Sequence, residues 1–295
     1  MGSLYREVLS QMLEAPVIDG TKDTSAEILN AQFVLTNPQY NLIASKERAF
    51  NYRYMVAEML WNAQPMADLK PLSDVFPGVR RFVEDQDEWN REKVSWAYGF
   101  SVWPGLLYCY DELIDDPGSR RAVIRVGVNH RSSQLLSRIT KKGTPPCLVS
   151  QQFLIRGGSL HSIVQMRSND VWRGFPLDVY QFTMWQLILA AKLEIPVGDY
   201  YHNASSFHLY ERDRKAAQAM VEGECAGITS SKPSSYFFDD LMKCKPMGVL
   251  SAAAQYARDK TGSGPWLGVY SGEHTELLTE FGYLKLSGYG SGWSN

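Results

Sequence analysis

Cysteine is scarce in this sequence: four in 295 residues, at Cys109, Cys147, Cys225 and Cys244. None forms a CxxC pair, and none stands near a histidine at the spacing of a zinc site. So few cysteines in so long a chain also argue against a disulfide framework. An excess of one charge is missing too. Lys and Arg number 30 against 32 Asp and Glu, a formal net charge of −2. A protein that binds DNA or RNA usually shows a basic face, so direct nucleic-acid binding is not expected. A local basic pocket for one phosphate remains open. Long apolar runs are absent as well. The most apolar helical segment, "FTMWQLILAA", is far too short to span a bilayer. The N-terminal "MGSLYREVLSQMLEA" lacks the apolar core of a signal peptide. The expectation is a soluble cytoplasmic protein with no membrane partner and no metal.

What is present is ordinary in bulk. Hydrophobic residues make up 44% and charged residues 21%, as in globular proteins generally. The length suffices to bury a core without metals or disulfides. Residues 1–15 read as an amphipathic helix. A turn at Asp19-Gly20 precedes an alternating, strand-like segment. "SKERAFNYRYMVAEMLW" reads as a helix capped by Ser45. "DELIDDPGSRRAVIRVGV" reads as a helix end, a Pro-Gly turn and a strand over 122–128. Two β-rich runs around Gly157-Gly158 predict a tight hairpin. "LDVYQFTMWQLILAAKLEI" predicts a buried helix of ~16 residues. "VGDYYHNASSFHLY" reads as a strand that runs into a charged helix at Glu211. A helix broken at Pro246 and a flexible tail complete the pattern. The fold class expected is α/β, one domain over residues 1–295 built on a mixed sheet.

The segment "QMRSNDVWRGFPLDVYQF", residues 165–182, fits neither a solvent loop nor a core strand. Charged residues and a Gly-Phe-Pro turn interrupt an apolar run. Cys147 enters its strand from "GTPPC", where two prolines stiffen the approach. A lone cysteine is usually structural. Arg120, Arg121 and Arg167 would favour its thiolate if the fold brings them together.

The blocks "PPC", "QF", "RSND", "GFPLD" and "HLY" resemble the thymidylate synthase family in order and spacing. Upstream, "AEMLW" resembles that family's glutamate-bearing helix, "YGFSVW" its tyrosine-glycine segment and "DPGSRR" its arginine pair. The resemblance runs from about Ala57 to Tyr210. It implies a sheet flanked by helices, a sheet-mediated homodimer, a pyrimidine nucleoside monophosphate as substrate and 5,10-methylenetetrahydrofolate as co-substrate. It makes Cys147 the nucleophile that adds to C6 of the base, which activates C5. It makes Glu58 the acid that organises proton transfer and Tyr98 a hydroxyl near the nucleophile. Taken alone, Glu58 would read as a paired surface residue and Tyr98 as a core aromatic. Arg167 and Ser168 match phosphate ligands within one subunit. Arg120 and Arg121 match a pair donated by the second subunit. Lys22 is the cation nearest to a further phosphate arginine. His208 and Tyr210 match ligands of the sugar hydroxyl and, two apart on a strand, share one face. Asp170, Gly174 and Trp89 match folate-site positions.

Asp178 stands where thymidylate synthases carry asparagine. An asparagine amide pairs with the O4 and N3–H edge of uracil. Cytosine inverts that edge, and a carboxyl group answers it by accepting from N4–H and carrying a proton for N3. With "RSND" and "DPGSRR", this resembles phage deoxycytidylate hydroxymethylases, in which water completes the reaction. Hydroxymethylation of CMP, methylation of dCMP and a catalytically silent nucleotide-binding protein are the alternatives. Leu148 departs from the histidine that follows the cysteine in many synthases. The chain after about residue 230 does not resemble the synthase C-terminus.

Overall fold

The computed structural model describes residues 1–20, 23–83, 94–127, 145–230, 233 and 235–243. Lys22, Trp89 and everything beyond Lys243 lie outside the described residues, including the break expected at Pro246 and the tail.

Helix α1, Gly2–Glu14, buries Tyr5, Val8, Leu9 and Met12, the i, i+3, i+4, i+7 spacing of a one-sided helix. The strands are β1 (Val17–Asp19), β2 (Thr24–Leu35), β4 (Val123–Arg125), β5 (Leu148–Arg156), β6 (Ser159–Met166), β7 (Asn169–Asp170) and β8 (Val197–Tyr210). They form a seven-stranded sheet in the order β1-β2-β8-β6-β5-β4, with β7 also on β8. A separate pair joins β3 (Leu42–Ser45) to β9 (Cys225–Ile228). β6 and β7 run parallel to β8, whereas the other pairings are antiparallel. The sheet is therefore mixed, as expected.

The hairpin follows its glycines. Gly157 and Gly158 have φ of 58° and 77°, a left-handed pair that closes a two-residue turn with the right twist. Arg156 pairs with Ser159 across it. A parallel β6 and β8 require a crossover, and helix α5, Phe175–Lys192, supplies it. This helix is 18 residues long and buries residues all round its circumference, so it is the centre of the core rather than a cover for it. Side-chain amides tie it to the sheet. Gln186 Nε2 donates to Leu160 O at 2.8 Å and Gly198 O at 3.1 Å. Gln151 Nε2, from β5, donates to Phe182 O at 2.9 Å.

Three expectations are corrected. The α2 helix is Tyr52–Asn62, and its cap is Asn51, whose side chain accepts from Tyr54 N–H at 3.0 Å. Ser45 ends β3 and donates to Glu47 instead. The strand expected over 122–128 spans Val123–Arg125. Finally, α5 begins at Phe175, two residues before the Leu177 at which the expected segment opens, and Asp178 lies in its first turn. Helices α3 (Lys70–Val75), α4 (Gly99–Asp115), α6 (Glu211–Glu222) and α7 (Phe237–Lys243), with a 3-10 helix over Pro77–Phe82, complete the described elements. None of the described helices is long and apolar enough to cross a membrane.

Because Asn51 satisfies an otherwise orphaned N–H at the start of α2, Asn51→Ala should cost about 1 kcal/mol. The expected outcome is a lower Tm in thermal unfolding, with Asn51→Asp close to the parent protein.

Candidate active site

Cys147 sits between the Pro145-Pro146 turn and β5. The pairing of β5 with β6 shifts register between Leu148 and Ser150, an irregularity of the kind that re-aims side chains beside functional sites. Arg167 clamps the turn from the end of β6. Its backbone N–H donates to Cys147 O at 2.9 Å. Its Nε donates to Pro146 O at 2.8 Å and its Nη2 to Pro145 O at 2.7 Å. A guanidinium has five N–H donors. Arg167 thus holds the turn before Cys147 with two of them and is exposed to solvent. Ser168 follows it, half-buried.

Tyr98 opens α4 and is fixed from two sides. Its backbone N–H donates to Asn62 Oδ1 at 3.0 Å, and Asn62 Nδ2 donates to Gln181 Oε1 at 2.8 Å. The next residue is glycine for a steric reason: a Cβ on Gly99 would meet Gln64 O at 1.6 Å. Burial pushes the pKa of the Tyr98 hydroxyl up, and the charges of Asp178, Cys147 and Glu58 add to the shift. These four residues therefore converge, although they come from α2, the start of α4, the first turn of α5 and the turn before β5.

The two carboxyl groups are the most perturbed members. Glu58, on α2, accepts from the Tyr54 hydroxyl at 2.8 Å. Burial raises its pKa to about 7 despite that bond. Asp178 has its pKa raised to about 8, first by burial and then by the nearby Glu58, against the opposing bond from Asn169. Both keep some accessible surface. Asn169 Nδ2 donates to Asp178 Oδ2 at 2.7 Å. Behind it, His202 Nε2 lies 2.9 Å from Asn169 Oδ1, and the Tyr200 hydroxyl lies 2.7 Å from His202 Nδ1. Burial lowers His202 to about 3, so it is neutral.

A second group lies along the end of β8. β7 places Asp170 opposite His208 in register. Asp170 Oδ1 accepts from the backbone N–H groups of Trp172 at 2.8 Å and Arg173 at 3.0 Å. Burial raises the pKa of Asp170 and lowers that of His208, and each charge resists the other's shift. The His208 and Tyr210 rings meet edge to face at 5.0 Å. Gly174 packs on the Asn169–Asp178 bond: a Cβ there would lie 3.1 Å from Asn169 Nδ2 and 3.2 Å from Asp178 Oδ2.

Arg120 and Arg121 lie on the exposed turn before the edge strand β4. Arg121 is engaged within its own chain, with Nη2 2.8 Å from Glu112 Oε1. Arg120 carries the exposed cation, while its carbonyl accepts from Gln152 Nε2 at 2.8 Å. Sequence reasoning missed Asn169, His202 and Tyr200. Tyr200 and His202 are two apart on a strand, which places them on one face. Only the fold shows that this face looks at Asp178.

The thymidylate synthase family model matches residues 3–232. The chain is 24% identical over 220 residues to thymidylate synthase 1 of Bacillus spizizenii, covering 70% of this chain and 74% of that protein. It is also 24% identical over 220 residues to the thymidylate synthase of Bacillus phage phi3T, with the same coverage of 70% and 74%. The deoxyuridylate hydroxymethyltransferase of Bacillus phage SP01 is 27% identical over 260 residues, covering 82% of this chain and 66% of that protein.

The raised carboxyl groups set a stability profile. In the unfolded chain Asp178 and Glu58 ionise near their ordinary values of 3.8 and 4.5. The folded protein holds protons that the unfolded chain has lost, so stability falls as pH rises from about 4 to about 8. Thermal unfolding is expected to give a higher Tm at pH 5 than at pH 8 from these two groups. Asp178→Asn and Glu58→Gln should each flatten that slope and raise Tm at pH 8.

Proposed function

The chain belongs to the thymidylate synthase family, whose members transfer one carbon to a pyrimidine nucleotide, and from that premise we propose that this enzyme makes 5-hydroxymethyl-dCMP from dCMP. The observation that carries the reading is Asp178, a carboxyl with a pKa near 8 that converges with Glu58, Tyr98 and Cys147. At neutral pH it is mostly protonated, so it both donates and accepts, which cytosine's N3 and N4–H edge requires.

Cys147 adds to C6 of the ring, and the displaced π electrons make C5 nucleophilic. Methylenetetrahydrofolate supplies the one-carbon unit. Asp170, anchored by two backbone N–H groups, suits the polar edge of a fused pyrimidine ring. His208 and Tyr210, beside it, are assigned to the sugar hydroxyl. Glu58, with a pKa near 7, both gives and takes protons at working pH. It is assigned to assist loss of the C5 proton. Tetrahydrofolate departs, water adds to the exocyclic carbon, and Cys147 leaves C6 with its electron pair. Arg167 and Ser168 are assigned to the phosphate.

A second reading takes dUMP as the substrate, favoured by the similarity to the deoxyuridylate hydroxymethyltransferase of phage SP01. Mass spectrometry of products from dCMP, CMP and dUMP separates the readings. Dependence on methylenetetrahydrofolate and a gain of CH2O on dCMP is expected. A gain of CH2 signifies methylation, and product from CMP or dUMP alone overturns the substrate assignment. Asp178→Asn should lower kcat/KM for dCMP relative to dUMP by about tenfold to a hundredfold, because one buried polar group is left mismatched.

We propose further that the protein works as a dimer through the sheet face opposite α5, which carries Val34, Ile163 and Tyr201 partly exposed. The exposed Arg120, with Arg121, would then complete the partner's phosphate site. Under subunit exchange, an Arg120→Ala/Arg121→Ala protein mixed with Cys147→Ala should recover about a quarter of full activity, since half the dimers are mixed and each has one intact site. No recovery despite proven exchange would remove the shared site.

A further inference from the structure

The hydrogen bonds behind Asp178 form a chain with two possible directions. In one, the Tyr200 hydroxyl donates to His202 Nδ1, His202 Nε2–H donates to Asn169 Oδ1, and Asn169 Nδ2–H donates to Asp178 Oδ2. In the other, every proton is reversed. His202 takes its Nδ1–H tautomer, Asn169 turns its amide over, and Asp178 must offer a proton from Oδ2. The heavy-atom separations of 2.7, 2.9 and 2.7 Å suit either direction.

The far end distinguishes them. Tyr200 is 1% exposed, and among the described residues its hydroxyl has one hydrogen-bond partner, His202 Nδ1. Reversal would turn that partner into a donor and leave the buried Tyr200 O–H with no acceptor. Stranding one buried donor disfavours the reversed chain by about tenfold or more.

Resting on the cytosine reading above, we propose that Tyr200, through His202 and Asn169, is a specificity-determining positioning residue: it makes Asp178 Oδ2 an acceptor and so confines the acid proton to Oδ1. With Oδ1 facing N3 and Oδ2 facing N4–H, the carboxyl presents one donor and one acceptor, the complement of cytosine. A neutral carboxyl without this constraint is ambiguous. Moving its proton from Oδ1 to Oδ2 exchanges donor and acceptor and produces the complement of uracil's N3–H and O4. The base preference of an acid that both donates and accepts thus requires a group that fixes the proton, and this chain supplies one from within the core. Gly174 leaves the Asn169–Asp178 bond its space.

The test has one arm that needs no substrate and one that does. Nitrogen-15 NMR separates the two ring nitrogens of a neutral imidazole by chemical shift. At neutral pH, His202 of the full-length protein is expected as the Nε2–H tautomer. In Tyr200→Phe, which keeps the ring and removes the hydroxyl, His202 is expected to become a mixture of tautomers. In the same variant the ratio of kcat/KM for dCMP to that for dUMP should fall about tenfold. A role in packing alone would lower Tm and leave both the tautomer and the ratio unchanged.

An Nδ1–H tautomer or a cationic His202 in the parent protein overturns the proposal, and that measurement stands even if Tyr200→Phe fails to fold. An unchanged ratio in a folded Tyr200→Phe protein overturns the link to specificity. If the parent protein uses neither dCMP nor dUMP, the proposed function fails, while the tautomer result still decides the direction of the chain.

Discussion

The charge of Glu58 reaches Asp178, and neither carboxyl group ionises as it would in water. Desolvation is the largest cause for both, and the charge of Glu58 adds to the shift at Asp178. The cost of burying two carboxyl groups is met in part by keeping protons on them. It is also met by specific donors: Tyr54 to Glu58 and Asn169 to Asp178. Each donor then needs its own anchor, and the surrounding architecture supplies those anchors. Tyr54 is one turn away from Glu58 on a capped helix. Asn169 is held by His202, and His202 by Tyr200.

The scaffold explains why the arrangement is rigid. Helix α5 is buried nearly all round, so the first turn that carries Asp178 has little freedom to shift. Its polar side chains tie it to its neighbours: Gln186 to the β6 and β8 backbones and Gln181 to Asn62. The same Asn62 fixes the start of α4 and with it Tyr98. Arg167 pins the Cys147 turn to the end of β6. Cys147, the two carboxyl groups and Tyr98 are therefore set by side-chain-to-backbone and amide-to-amide bonds, which favour one geometry over many.

This placement opposes stability in a defined pH range. Groups with raised folded pKa values destabilise the fold as the solution becomes alkaline, yet the same shifts bring acid and base chemistry to neutral pH. Arg121 shows the opposite balance. It is exposed and satisfied by Glu112 within its own turn, so it has an intrachain partner where Arg120 presents its charge outward.

Much of this protein was determined locally. The Gly157-Gly158 hairpin, the α1 stripe, the β8 run and the buried α5 helix are written in periodicity and turn chemistry, because each depends on neighbours a few residues away. The blocks around Cys147, Arg167, Asp178 and His208 were legible through their resemblance to a family, and the match over residues 3–232 agrees with them. Helix boundaries were less so. Ser45 and Asn51 are both competent caps, and only the strand pairing of Leu42–Ser45 with Cys225–Ile228 decides between them. What tertiary structure alone decided is the environment of the acids. A pKa depends on desolvation and on charges that the chain brings from distant positions, and a hydrogen-bond chain from Tyr200 to Asp178 crosses two strands and a helix. Sequence spacing records none of these distances, so the residues around Asp178 in the sequence do not show that the fold buries its carboxyl group.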